Sequence, residues 1–310
     1  MKILVTGGAG FIGSHFVDRL ITDGHSVWAL DNLRNGSESN ISPNAEFIQM
    51  DIKDKELDPT LDRIRPNAIF HLAAQIDVGL SCADPVYDAL ENIMATLRLI
   101  ESGLRCGMSY FVFASSGGAI YGEASGPQAE THIEAPINPY GVAKLAIDKY
   151  LYAYTAQKGL MSCSLRFSNV YGPRQGAKGE AGVVAVFSKL LREGKPPVIN
   201  GDGMQTRDFV YVADLAEAAS MVLKQTATGV FNLGTGLETT ILDLAKNLCA
   251  AAGVDPSLIQ HGPPIGGEQR RSVLDPSKAA KAFVWSPRTS LASGLKATYG
   301  WFASEGIKKQ

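Results

Sequence analysis

The chain has 310 residues, of which 45% are hydrophobic, and a formal net charge of −2 at pH 7. This balance is typical of a soluble globular protein and implies no nucleic-acid or membrane partner. The apolar stretches are too short to span a bilayer, and the first residues read as a strand rather than a cleavable signal. The four cysteines form no C-x-x-C pair and the five histidines show no ligand spacing, so we expect free thiols, a cytoplasmic location and no metal site.

The first predicted elements surround a glycine-rich turn. Lys2 to Thr6 reads as a short buried strand, and apolar residues at helical spacing begin at Phe11. Gly7, Gly10 and Gly13 lie in this region, with one residue more between the first two than in the usual dinucleotide fingerprint. Gly7 would allow the tight turn, Gly10 the approach of a pyrophosphate, and Gly13 close packing of the helix on the strand. The pattern predicts a dinucleotide held at the helix N-terminus.

The second predicted strand, residues 26–30, ends at an acid. Asp31 can accept both hydroxyls of an adenosine ribose and would repel a 2′-phosphate, so the sequence favours NAD over NADP. Arg34 is the one nearby feature that would suit NADP instead. A glycine-rich loop with an unrelated acidic turn is the alternative, but strand, turn, helix, strand and acid arrive in the required order.

Strands and helices continue to alternate through the first half of the chain. Further strands are predicted at 46–50, 68–72, 109–114 and 161–167, and helices at 85–104 and 139–157. Such alternation predicts an α/β fold with a doubly wound, Rossmann-type parallel sheet. Glycine- and proline-rich loops follow Asn169. We therefore expect a dinucleotide-binding domain over 1–168 and a smaller C-terminal substrate-binding lobe over 169–310, with segments near 207–250 returning to the main domain.

A tyrosine and a lysine one helical turn apart are the candidate catalytic pair. Asn138-Pro139 is a typical helix start, and it places Tyr140 and Lys144 on one face. An ordinary phenol has a pKa of about 10, but a lysine ammonium and an oxidised nicotinamide would lower it and create a base for a hydroxyl proton. Ser116, after a predicted strand, would hydrogen-bond the same oxygen. The pair alone would equally suit a helix surface, but together with the glycine turn it indicates redox chemistry on a carbinol carbon.

Further motifs extend over nearly the whole chain. They are Asp31-Asn32, Asp51-Ile52, His71-Leu72-Ala73-Ala74, Ser115-Ser116, Asn169-Val-Tyr-Gly-Pro-Arg174, Gly201-Asp202-Gly203, Arg207-Asp208-Phe209, Asp214 and Phe231-Asn232-Leu233-Gly234. With the glycine turn and the Tyr140/Lys144 pair, they resemble the extended short-chain dehydrogenase/reductase superfamily. Within it, the chain is most similar to UDP-glucose 4-epimerases and related UDP-sugar 4-epimerases, which are NAD-dependent isomerases.

The resemblance implies a role for each matching position. Ser116, Tyr140 and Lys144 would be catalytic. The residues that would hold NAD are Gly7, Gly10, Phe11, Ile12, Gly13, Asp31, Asn32, Leu33, Arg34, Asn35, Gly36, Asp51, Ile52, Leu72, Ala73, Ala74, Gln75, Asn92, Tyr140, Lys144 and Ser168. The residues that would bind the UDP-sugar are Ser116, Tyr140, Asn169, Gly182, Val183, Val198, Asn200, Arg207, Arg271 and Ser272, with Arg207 against the diphosphate. A homodimer through helices 85–104 and 139–157 is also implied.

The chain departs from the family pattern around the catalytic serine and in the C-terminal lobe. Counting from the preceding strand selects Ser116, whereas counting back from the next tyrosine selects Gly117, which has no side chain to donate a hydrogen bond. Ile265 stands where the family usually has an arginine, so Arg270 or Arg271 would supply that phosphate contact.

Several chemistries share this framework. A 4,6-dehydratase of the superfamily needs an acidic pair where this chain has Gly118 and Ala119, which favours epimerisation through a 4-keto sugar. A non-catalytic NAD-binding sensor would be expected to lose the tyrosine or the lysine. UDP-glucose and UDP-galactose are the default substrates. Ser272, at the family's sugar-pocket gate, leaves room for UDP-N-acetylglucosamine, and UDP-glucuronate is the third candidate.

Overall fold

A computed structural model describes residues 1–123, 125–176, 182–264, 266 and 269–305 of the chain. Its strands are β1 (Lys2–Thr6), β2 (Ser26–Asp31), β3 (Glu46–Gln49), β4 (Ala68–His71), β5 (Tyr110–Ser116), β6 (Met161–Phe167), β7 (Asn169–Tyr171), β8 (Val198–Asn200), β9 (Thr206–Arg207), β10 (Phe209–Tyr211), β11 (Gly229–Leu233), β12 (Thr239–Thr240), β13 (Gln260–Gly262) and β14 (Arg271–Ser272). Its α-helices are α1 (Phe11–Thr22), α2 (Leu57–Ile64), α3 (Val78–Ala83), α4 (Pro85–Ala89), α5 (Ala95–Arg105), α6 (Gly117–Ile120), α7 (Pro139–Lys158), α8 (Val183–Arg192), α9 (Val212–Gln225), α10 (Ile241–Ala252), α11 (Ser277–Phe283) and α12 (Leu291–Glu305).

Within the described residues, the main sheet has seven strands in the order β3-β2-β1-β4-β5-β6-β11, and every neighbouring pair is parallel. The order reverses between β1 and β4, which places a crevice at the carboxyl ends of these two strands. The predicted doubly wound Rossmann-type fold is confirmed.

The two faces of this sheet are covered by different helices. Ile3 and Val5 of β1 pack with α1, α9 and α11 on one face, whereas Leu4 packs with α2, α5 and α7 on the other. Successive side chains of a strand point to opposite faces, so a strand buried on both sides must be apolar throughout. This explains why β1 reads as a continuous apolar run.

The chain after β6 builds a smaller lobe and also contributes to the main sheet. The lobe has its own apolar core, to which α8, α10 and α12 contribute. Short strand pairs surround it: β7 with β10, β8 with β13, and β9 between β12 and β14. β11 pairs with β6 in the main sheet, and α9 packs on α1. The domain boundary at residue 168 stays a prediction.

Two predicted elements differ from the structure in ways that bear on the site. β5 continues to Ser116, because Ser115 and Ser116 still pair with Arg166 and Phe167 of β6. The helix predicted at 85–104 is divided into α4, a π-helical turn at Leu90–Met94 and α5. Single π turns inside α-helices are frequent at functional sites, because the inserted residue redirects its neighbours. No described helix is both long enough and apolar enough to cross a membrane.

Candidate active site

The glycine turn between β1 and α1 is packed so closely that Gly7 and Gly13 leave no room for a side chain. Gly7 has φ +70°, and a Cβ there would lie 2.7 Å from the Ala73 nitrogen. A Cβ on Gly13 would lie 2.0 Å from the Gly7 carbonyl oxygen, so α1 can approach β1 only with glycine there. Gly10 is the N-cap of α1 and has no side chain to occupy the first N–H groups of the helix. The turn therefore fits the diphosphate of a dinucleotide.

Asp31, at the end of β2, ties the next loop to this turn. It is 7% exposed, and its two oxygens accept from the backbone nitrogens of Leu33 at 2.8 Å and Ala9 at 3.1 Å. Leu33 has φ +61°, a strained value for a branched residue. The carboxylate thus holds both the glycine turn and the loop where a ribose would bind.

Arg34, in the loop after β2, packs on a tyrosine of α4. Its guanidinium lies 5.6 Å from the ring centroid of Tyr87 and donates to the Tyr87 hydroxyl. Its backbone nitrogen donates to Asn32 Oδ1, and Asn32 Nδ2 donates to Asp51 Oδ2 at 3.0 Å. The arginine that would suit NADP is therefore engaged by α4 in the protein itself.

The other predicted cofactor residues follow the carboxyl ends of neighbouring strands. After β2 come Asn35 and Gly36, after β3 Asp51 and Ile52, after β4 Leu72, Ala73, Ala74 and Gln75, and after β6 Ser168. Phe11 and Ile12 open α1, and Asn92 lies in the π turn between α4 and α5. All except Asn92 gather at one edge of the sheet or at the start of α1, as expected for parallel strands. Asn92 joins them through two hydrogen bonds to the backbone of Gln75, both 2.9 Å.

The predicted catalytic residues meet where α7 crosses the end of β5. Asn138 caps α7 by accepting from the Gly141 nitrogen at 2.8 Å, which fixes Tyr140 and Lys144 in the first turns. Lys144 Nζ donates to the Ala114 carbonyl at 2.8 Å and lies 5.6 Å from the Tyr140 ring centroid. A β5 backbone carbonyl therefore positions the lysine charge beside the phenol.

The electrostatics of this pair differ from the expectation in one respect. Burial, with a contribution from the Asp88 charge, raises the pKa of Tyr140 to about 12, although a hydrogen bond from Ser116 acts in the opposite direction. In the protein alone, desolvation of the phenolate outweighs the stabilising groups, so the expected lowering of this pKa does not come from the protein groups by themselves. Burial likewise lowers the pKa of Lys144 to about 8, against the charges of Asp148 and Asp88.

A cavity of about 280 Å³ opens beside these residues. The predicted residues that line it are Ser116, Tyr140, Ser168, Asn169, Arg207 and Ser272. Ser115 is buried outside it, as expected for the adjacent residue of a strand. A Cβ on Gly117 would lie 2.6 Å from the terminal methyl carbons of Leu274, so the Leu274 side chain would have to shift to admit it. Of the two candidate positions for the catalytic serine, 116 and 117, only Ser116 places a hydroxyl in the cavity lining.

The other predicted substrate residues lie outside the lining of this cavity. Gly182 and Val183 form the start of α8, and Val198 and Asn200 lie in β8. Arg271, in β14, forms an ion pair with Glu238. Arg270, the alternative phosphate ligand, pairs with Asp202 at 3.0 Å. Ile265, the departure that raised this question, lies outside the described residues.

Several lining residues were not predicted. Gln269 and Val78 reach the cavity from distant parts of the chain, and no local pattern marks them. Asn138 also lines it, and its place two residues before Tyr140 was a usable signal. Gly118 lines it as well, and a Cβ there would lie 3.7 Å from Ser272 Oγ and 3.9 Å from Asn169 Oδ1. The glycine therefore leaves free space between these two polar groups.

Comparison with known proteins agrees with this geometry. The model of the NAD dependent epimerase/dehydratase family matches residues 3–234. A putative UDP-glucose 4-epimerase of Methanocaldococcus jannaschii is 43% identical over 300 residues, which cover 96% of this chain and 97% of that protein.

Solved structures are similarly close. The UDP-glucose 4-epimerase of Thermotoga maritima, solved with UDP-glucose, has a TM-score of 0.95 and 44% identity, covering 98% of this chain and 99% of that one. The UDP-glucose 4-epimerase of Thermus thermophilus, solved with NAD, has a TM-score of 0.92 and 41% identity, covering 97% of this chain and 99% of that one. The resemblance seen in the motifs is confirmed, and the chain belongs to the NAD dependent epimerase/dehydratase family.

Proposed function

We propose that the protein is an NAD-dependent UDP-sugar 4-epimerase with UDP-glucose and UDP-galactose as its preferred pair. The observation that carries the proposal is the cavity wall, where Ser116 and Tyr140 face a space whose described lining contains no aspartate or glutamate. Oxidation at C4 needs one base and a hydride acceptor, and the return step uses the same groups. A site with a tyrosine, a serine and no carboxylate suits that reaction.

The chain's own residues would divide the work as follows. Tyr140 takes the proton of the sugar 4-hydroxyl, and Ser116 hydrogen-bonds the same oxygen. The Lys144 ammonium, positioned by the Ala114 carbonyl, supplies positive charge beside the phenolate. The chemistry that NAD supplies when bound is reversible acceptance of a hydride from C4. In the protein alone burial raises the Tyr140 pKa to about 12, and the positive charge of an oxidised nicotinamide would, on binding, favour the phenolate.

The remaining cavity residues suit a sugar that must turn over between the two half-reactions. Arg207 is the one cationic side chain among the described lining residues, and a guanidinium fork matches diphosphate oxygens. Gly182 and Val183, at the start of α8 and outside this lining, would offer backbone N–H groups to the same anion. Around the sugar the lining is neutral, with Asn138, Asn169, Gln269 and Ser272. Tight contacts on the nucleotide and weak ones on the sugar would allow a 4-keto sugar to present its other face.

The same cavity lining gives less support to the alternative reaction and to the alternative substrates. A dehydratase needs carboxyl groups at positions 118 and 119, and both are small residues that line the cavity. A uronic acid would need a cation near the sugar, and Arg207 is committed to the diphosphate in this proposal. UDP-N-acetylglucosamine is the second candidate, because Gly118 leaves space beside Ser272 for a larger 2-substituent.

We also propose a homodimer. Val86, Leu90 and Met94 follow one another at intervals of four, and each side chain is more than half exposed. Val142 and Tyr150 expose apolar surface on α7 nearby. An exposed apolar stripe on two adjacent helices suits a self-complementary two-fold interface with a second copy. Light scattering should give twice the monomer mass at micromolar concentration, and a monomer mass would contradict the proposal. The four free cysteines support a reducing cytoplasm as the location.

The deciding experiment is a substrate panel. Protein purified without added NAD should contain bound dinucleotide, since each cycle regenerates the oxidised cofactor. UDP-glucose, UDP-N-acetylglucosamine and UDP-glucuronate should then be incubated separately and the products resolved by NMR. We expect UDP-galactose from UDP-glucose and slower conversion of the N-acetyl sugar. Turnover of UDP-glucuronate alone would overturn the substrate assignment, and absence of bound dinucleotide would count against the whole proposal.

A further inference from the structure

Asp88 is a buried carboxylate that the proposed mechanism does not use. It lies on α4 and is 1% exposed. Its Oδ1 accepts from Gln75 Nε2 and from Asn92 Nδ2, both at 2.9 Å. The two partners are neutral amides, so neither compensates the charge. A buried carboxylate is costly, and the hydrogen bonds alone could be made by an asparagine oxygen.

The hydrogen bonds of Asp88 hold the turn that follows β4. Asn92 both accepts from the Gln75 nitrogen and donates to the Gln75 carbonyl, so the amide of Asn92 clamps that backbone. Asp88 Oδ1 then holds the side chains of Gln75 and Asn92 together. The π turn at Leu90–Met94 contains Asn92 one turn after Asp88, which brings both polar groups to the buried side. The clamp secures the segment that packs against the glycine turn through Ala73.

The charge of Asp88 acts on the catalytic helix. α4 packs directly against α7. The titratable groups on the elements around it include Tyr140, Lys144 and Asp148 on α7, His71 at the end of β4, Asp77 at the N-cap of α3 and Glu91 in the π turn, and α7 also carries Lys149 and Lys158 further along the helix. Glu91 pairs with Lys53, and Asp77 accepts from the Leu80 nitrogen. Burial lowers the pKa of Lys144, and the charges of Asp148 and then Asp88 raise it.

We propose that Asp88 is a positioning residue for the epimerase reaction, which fixes the turn after β4 through Gln75 and Asn92 and places a buried negative charge against the catalytic helix α7. The role of the negative charge explains why a carboxylate rather than an amide stands at this position. The proposal rests on the proposed function, since it assigns Asp88 to the Tyr140/Lys144 chemistry. Asp88 acts on Lys144 and Tyr140 through its charge and is placed at no reacting atom.

The test separates the charge from the hydrogen bonds. Asp88→Asn retains an oxygen for both amide donors and removes the charge, whereas Asp88→Ala removes both. Asp84→Asn is the matched control, because Asp84 is exposed at the N-cap of the same helix and asparagine caps equally well. The primary readout is the pKa of Lys144, followed by NMR of protein labelled with ¹³C-lysine, with the signal assigned by its loss in Lys144→Met.

We expect the Lys144 pKa to fall below its wild-type value in both Asp88 variants and to stay at that value in Asp84→Asn. The Tyr140 pKa should also fall, so both limbs of the kcat profile should move to lower pH in Asp88→Asn. Asp88→Ala should additionally lower kcat several-fold and reduce the melting temperature, because the clamp is lost. The KM for the UDP-sugar should change little, since Asp88 does not line the substrate cavity.

An unchanged Lys144 pKa in a folded Asp88 variant would overturn the proposal, and one folded variant of the two is sufficient for that measurement. Equal shifts of the Lys144 pKa in Asp84→Asn and Asp88→Asn would overturn it too. An exposed charge screened by solvent would then affect Lys144 as strongly as the buried charge of Asp88. Failure of the proposed function looks different. The wild-type protein would convert no UDP-sugar, while the titration of Lys144 would still report its coupling to Asp88.

Discussion

The Lys144 ammonium lies 5.6 Å from the centroid of the Tyr140 ring while its hydrogen bond goes to the Ala114 carbonyl at 2.8 Å. The backbone of β5, rather than the Tyr140 phenol, thus holds the lysine in position. Positive charge is in place before any substrate binds, so little reorganisation is needed when the phenol loses its proton. The same contact fixes the crossing of α7 over the end of β5.

Replacing Tyr140 tests the base directly. Tyr140→Phe removes the hydroxyl and leaves the ring beside Lys144, so the fold and the cofactor site should be unaffected. We expect kcat to fall by roughly 10²–10⁴-fold, the range for loss of a general base. Epimerisation of UDP-glucose should be measured beside the amount of bound dinucleotide. Full turnover with the cofactor retained would show that the Tyr140 phenol is not the base.

The two adjacent serines give a matched pair of variants. Ser116→Ala removes a hydroxyl that lines the cavity together with Tyr140. Ser115→Ala removes one that is buried outside the cavity. We expect kcat to fall roughly 10-fold or more in Ser116→Ala, the loss of a charge-assisted hydrogen bond, and to stay near the wild-type value in Ser115→Ala. The reverse order would mean that the catalytic position was counted wrongly along β5.

His71 should make the fold sensitive to acid. It is 1% exposed, with Nδ1 2.6 Å from Thr6 Oγ1 and Nε2 2.8 Å from Thr96 Oγ1. Thr96 donates to the Asn92 carbonyl, so it accepts from Nε2–H, and Nδ1 is left as the acceptor for Thr6. These partners suit the neutral ring. Burial lowers the pKa of His71 to about 3.

The sign of the pH effect follows from this. An unfolded histidine has a pKa of about 6.5, so below that pH the unfolded chain binds a proton that the folded protein refuses until about pH 3. The free energy of unfolding should therefore fall with acidification across this window, by up to about 1.4 kcal/mol per pH unit from this residue. Urea unfolding of His71→Gln should show a shallower pH dependence than the wild type, with His132→Gln, at an exposed histidine, as the control. Equal slopes in both variants would refute the assignment.

Local patterns predicted the part of the site that local geometry determines. Parallel strands end at one edge, so Asp31, Asp51 and Leu72 could be grouped from their positions after apolar runs. Tyr140 and Lys144 share a face because they are four residues apart in a helix with a recognisable cap. These relationships require only the secondary structure.

The rest of the site depends on packing between distant segments. Gln269 reaches the cavity from a loop of the C-terminal lobe, and nothing in its neighbourhood marks it. Asp88 looks like an ordinary surface acid in a helix, and only the π turn and the packing of α4 on α7 explain its burial. The raised Tyr140 pKa is likewise a result of burial, which residue types and spacing do not specify. Contacts formed across the fold cannot be read from a 3.6-residue or a two-residue period.

The glycine turn provides the last prediction, which concerns cofactor retention rather than chemistry. A Cβ on Gly13 would lie 2.0 Å from the Gly7 carbonyl oxygen, a backbone atom that cannot move away without displacing α1 from β1. Gly13→Ala should therefore lower stability by about 1–3 kcal/mol, the cost of overpacking, and should reduce the dinucleotide that copurifies. Gly300→Ala is the control: it lies within α12 with no atom within 4 Å of its added Cβ, and helix propensity should raise stability by up to about 1 kcal/mol. The test is to measure the thermal unfolding and the bound dinucleotide of both variants beside the wild type. Wild-type cofactor content and stability in Gly13→Ala would show that the turn tolerates a side chain and that the close approach of α1 to β1 is not required to hold the diphosphate.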